Sequence, residues 1–81
     1  MDELVARAFR AYFMTNAQQY GGAKEPIARK SSREEVDAKN YVVLRNRKGV
    51  LAVYRVRNDG MLKRLRRWPI VLGEATGEGL L

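Results

Sequence analysis

The 81-residue chain has room for one domain and no second core, because a chain of this length buries only about 60% of its unfolded surface. It is 46% apolar and 31% charged, without cysteine or histidine. That composition suits a globular domain and excludes disulfides, thiolate metal sites, a cysteine nucleophile and triad chemistry, leaving only carboxylates for a hard cation.

Net charge is +7 and unevenly placed along the chain. Residues 1–40 carry seven basic and six acidic side chains, net +1, and residues 69–81 carry net −2. Between them, residues 41–68 hold nine basic residues against Asp59 alone, net +8. A field of that sign on one element attracts polyanions. The apolar runs fall far short of the roughly 20 residues that span a bilayer. Met1-Asp2-Glu3 is not a basic signal-peptide start, so the expected location is cytoplasmic.

In chain order, the first element is a helix over residues 3–20. Leu4, Val5, Ala8, Phe9, Tyr12, Phe13 and Tyr20 recur at steps of three and four opposite Asp2, Glu3, Arg7, Arg10, Met14 and Gln18, an amphipathic pattern. Asp2 and Glu3 suit the positive end of its dipole, and Gly21-Gly22 supplies the left-handed residue that ends a helix. Over residues 23–40 the pattern dissolves around Pro26, with Ile27 and Val36 isolated among charges. Here a capping box of Ser31 or Ser32 with Glu34 or Glu35 would open a short second helix at about 32–39. The alternative is a loop, since few apolar residues are available to dock such a helix.

Three strands follow, at 41–46, 50–57 and 61–68. Tyr41-Val42-Val43-Leu44-Arg45 is rich in β-branched and aromatic residues, and Val50 to Arg57 alternates. Asn46-Arg47-Lys48-Gly49 fits a type I turn with Gly49 left-handed, and Asn58-Asp59-Gly60 signals a second hairpin. Pro69 ends the third strand at Trp68, although Ile70, Val71 and Leu72 could resume an edge pairing. Residues 73–81, with Gly73, Gly77 and Gly79, read as a flexible tail. The expected fold is α+β: an N-terminal amphipathic helix packed on a three-stranded antiparallel meander, one domain over residues 1–72.

Alternation divides the meander into two faces. With Asn46 facing Val50, the residues Val42, Leu44, Ala52, Tyr54 and Val56 form the face that receives the helix. Tyr41, Val43, Arg45, Leu51, Val53, Arg55 and Arg57 form the outer face. A two-residue second turn adds Arg64 and Arg66 to the outer face, whereas a three-residue turn adds Lys63 and Arg67. Five cations share it either way, mixed with apolar residues that the 23–40 segment, the tail or a second copy of the chain could cover. Trp68 reads as a core plug ahead of a base-stacking residue.

The function expected from this charge placement is a small non-enzymatic nucleic-acid-binding or nucleic-acid-associated accessory protein, DNA and RNA undecided. Its candidate nucleic-acid-binding residues are Arg45, Arg47, Lys48, Arg55, Arg57, Lys63, Arg64, Arg66 and Arg67, with no catalytic residue, metal or cofactor. The alternatives are a protein-interaction module or homodimer binding an acidic protein surface, and a solvated face whose charges discourage aggregation. A minor enzymatic alternative is a histidine-independent ribonuclease-like activity using Arg, Tyr and Glu. Adjacent acids such as Glu34 and Glu35 are explained by capping rather than by paired acid-base work.

Overall fold

The structure, a computed structural model, describes residues 2–20, with 15–20 by backbone alone, and 26–73. It is α+β, with one N-terminal helix and a four-stranded antiparallel sheet. Helix α1 runs Glu3–Tyr20 and is capped by Asp2, whose carboxylate accepts the Leu4 N–H at 2.8 Å, satisfying one of the donors a helix start leaves open. The strands are β1 Ser32–Val36, β2 Lys39–Asn46, β3 Gly49–Val56 and β4 Leu62–Leu65, in the sheet order β1-β2-β3-β4. No helix among the described residues is long and apolar enough to cross a membrane.

The expected three-stranded meander gains a strand, and the expected short helix at 32–39 is that strand. Residues 32–36 pair with β2, Ser32 opposite Val43 and Val36 opposite Lys39. The two residues between, Asp37 and Ala38, have φ of 52° and 63°. Paired left-handed residues in a two-residue loop belong to the hairpin turn whose twist matches its strands. The capping box does not form: Ser32 Oγ bonds the Glu34 carboxylate within the strand, while Ser31 Oγ donates to the Ile27 carbonyl at 3.0 Å and accepts the Arg45 N–H at 3.0 Å. The strand prevails because β2 offers a free edge, whereas Ser-Arg-Glu-Glu-Val has too little apolar surface to seat a helix.

The first turn closes with Asn46 opposite Gly49, at φ 142°, and not opposite Val50 as expected, leaving Arg47-Lys48 as a two-residue loop. Its register slips by one beyond Arg45, so that Arg45 faces Val50 and Leu44 faces Ala52. Leu51 is the extra residue of this bulge. It therefore joins the helix side rather than the outer face expected for it, while Val50 turns outward. The second turn is the three-residue form: Gly60, at φ 83°, donates its N–H to the Arg57 carbonyl at 2.9 Å, and Val56 faces Leu62. The last strand stops at Leu65 instead of 68, and Ile70–Leu72 form a 3-10 turn rather than an edge pairing. The flexible tail expected over 73–81 lies, but for Gly73, outside the described residues.

The sheet is apolar on both sides. Under α1, Val5, Ala8 and Tyr12 pack with Val42, Leu44, Leu51, Ala52 and Tyr54. On the outer side Tyr41, Val43, Val50 and Val53 pack with Leu72, flanked by Val36, Leu65 and Trp68. Trp68 is the plug expected of it, its indole N–H donating to the Gly73 carbonyl at 2.9 Å. The segment from Trp68 to Gly73 thus straps one end of the outer face, held by buried Leu72 and partly buried Trp68, while Ile70 and Val71 stay exposed.

Candidate nucleic-acid interface

The strap covers the end of the outer face where Val43, Val50 and Val53 lie, and the opposite end is charged. Strand alternation, pinned by Tyr41 and Val53 in the outer cluster, puts Lys39, Arg55 and Lys63 on that side of the sheet, with Arg57 just past the end of β3. All four are exposed. Arg55 lies directly opposite Lys63 across β3 and β4, and opposite Tyr41 across β2 and β3. Tyr41 is only 6% exposed and belongs to the outer apolar cluster.

Two acids touch this region. Asp59 in the hairpin loop pairs with Arg57 at 3.6 Å, both side chains being about half exposed, an interaction worth little in water. Glu34 of β1 faces Tyr41 in the register and accepts a hydrogen bond from Ser32 Oγ. Arg55, Lys63 and Lys39 have no ion-pair partner among the described residues. Beside them Arg55, Arg57, Asn58, Asp59, Leu62 and Lys63 line an open depression at the hairpin.

The other expected cations are dispersed. Arg45 shares the outer face but points its guanidinium into the fold, donating to the Lys30 carbonyl at 3.0 Å, to Ser32 Oγ at 3.1 Å and to the Leu72 carbonyl at 3.4 Å. Arg47 and Lys48 are exposed in the β2–β3 turn, away from the charged end. Arg64 is on the helix side, 5.4 Å from the Tyr12 ring centroid and opposite Tyr54. Burial pushes the Tyr54 hydroxyl above its ordinary value of 10.0, with the Arg64 guanidinium pulling it back down. Arg66 and Arg67 are exposed in the bend after β4. Lys39 was missed by sequence reasoning because it fell in the assumed linker; its signal is the alternation with Tyr41 and Val43 continued two residues upstream.

Among the described residues no group of three acidic side chains could hold a metal ion. The chain matches no protein-family model, no curated protein and no solved structure.

Proposed function

We propose that the protein binds nucleic acid through the charged end of its outer sheet face, with Lys39, Arg55, Arg57 and Lys63 meeting phosphates. The observation that carries this reading is the Arg55–Lys63 pair. Two like charges directly opposite on neighbouring strands repel, and such pairs destabilise a sheet. With Lys39 on the same side and Arg57 just past the end of β3, further positive charge lies close to the pair. A polyanion relieves it, and four cations that neutralise its phosphates release the counterions condensed on the nucleic acid.

The test is a double charge reversal, Arg55→Glu with Lys63→Glu, measured by fluorescence anisotropy on labelled oligonucleotides at ~50 mM salt. It should weaken binding by about 100-fold or more while the thermal melt stays cooperative. Affinity retained by a folded variant would move the site elsewhere.

A further inference from the structure

We infer that the ligand of this face is double-stranded, held by its phosphate backbone, and not an unpaired strand whose bases stack on the protein. The inference rests on the nucleic-acid reading above and adds the class of nucleic acid.

Proteins that hold single strands combine a basic track with exposed aromatic rings, on which successive bases lie. Here the outer face has two aromatic residues among those described, and both belong to its own core. Tyr41 is 6% exposed, and Trp68 packs on the Val43–Val53 cluster with its indole N–H held by Gly73. Phe9, Tyr12, Phe13 and Tyr54 lie on the helix side, and Tyr20 ends the helix itself. The segments outside the description, Met1, 21–25 and 74–81, contain no aromatic residue. The face therefore offers charge without a stacking platform.

What it does offer suits a duplex. A duplex presents two phosphate strands at a charge density no single strand reaches, so the same cations release more counterions there. The cations also sit on adjacent strands of one sheet face. Arg55 and Arg57 lie two residues apart on one chain, and Lys63 sits across from Arg55. An open sheet face meets the phosphate rows that flank the grooves of B-form DNA, and A-form RNA exposes its phosphates beside a wide, shallow minor groove. The shared chemistry is the duplex backbone, and either sugar can supply it.

The experiment compares the full chain on four probes of about two helical turns: duplex DNA, duplex RNA, an unstructured DNA strand and an unstructured RNA strand, at ~50 mM salt. At least one duplex should bind about tenfold or more tighter than either single strand, and the two duplex arms separate DNA from RNA. Trp68, the only tryptophan, reports stacking directly: its emission should be unquenched at saturation. Single strands bound as tightly as duplex, or strong quenching of Trp68 by them, would overturn the inference while leaving the nucleic-acid reading standing. Failure of all four probes to bind would remove both.

Discussion

Three acceptors from separate parts of the chain converge on the Arg45 guanidinium: the Lys30 carbonyl before β1, the Ser32 hydroxyl at its start and the Leu72 carbonyl in the strap. The Arg45 backbone is held as well, its N–H by Ser31 and its carbonyl by the Ile27 N–H at 2.7 Å. The guanidinium holds its donors in a wide, fixed fork that a compact ammonium cannot reproduce, so Arg45→Lys would keep the charge and lose the clasp. Hydrogen bonds to a charged group each contribute about 1.5–3 kcal/mol at best, less where water competes. Arg45→Ala should therefore cost roughly 1–3 kcal/mol in urea unfolding. Its affinity for nucleic acid should stay within about twofold, since this guanidinium does not face the ligand. A variant of unchanged stability and lost affinity would return Arg45 to the binding surface.

Among the elements, β1 shows how a hairpin forms without its usual glycine. Ala38 occupies the left-handed region at φ 63°, where a Cβ crowds the following carbonyl at a cost of about 1–2 kcal/mol. Ala38→Gly would convert Asp37-Ala38 into the Asp-Gly pair such turns favour. Allowing for the greater freedom glycine has when unfolded, it should stabilise the protein by roughly 0.5–1 kcal/mol, read as a higher urea midpoint. The β3–β4 hairpin makes the opposite bargain. Lys63→Glu sets an opposite charge against Arg55, which should raise stability by about 0.2–1 kcal/mol while weakening nucleic-acid binding. Stability and affinity moving apart in one substitution is the signature of a strained binding surface; unchanged affinity would reduce the pair to a solvated edge.

At the scale of the whole molecule, the sheet carries an apolar cluster on each side. One lies beneath α1 and the other beneath the strap that ends at Gly73. That strap fixes how much of the outer face is available. It covers the end at Val43, Val50 and Val53 and leaves the end with Lys39, Arg55, Arg57 and Lys63 uncovered. With four phosphate contacts, the logarithm of the binding constant for duplex should fall against the logarithm of salt concentration with a slope of about −3 to −4. A slope near −1 would mean that the cations act as a diffuse field rather than as a site. The strap from Trp68 to Gly73 covers apolar residues for which the 23–40 segment, the tail or a second copy of the chain were the expected covers.

Periodicity was strong enough in the sequence to determine α1, with Leu4, Val5, Ala8 and Tyr12 on its buried side, and β2 and β3, where β-branched runs meet explicit turn residues. The pairing of Leu44 with Ala52 was legible too, and so were the helix-facing residues Val42, Leu44, Ala52, Tyr54 and Val56, because alternation along β2 and β3 leaves one side nearly free of charge. Tertiary structure decided what local pattern leaves degenerate. Residues 32–36 are a strand because an unpaired edge of β2 outweighs weak local propensity. Leu51 faces the helix because a bulge inserts one residue, and a one-residue slip exchanges faces. Lys63 lies outward and Arg64 inward because Gly60 closes a three-residue loop. Arg45 and Arg55 look equivalent in sequence, two arginines on alternating strands. The fold surrounds one with carbonyl oxygens and sets the other opposite a like charge, a difference made by contacts between distant segments of the chain.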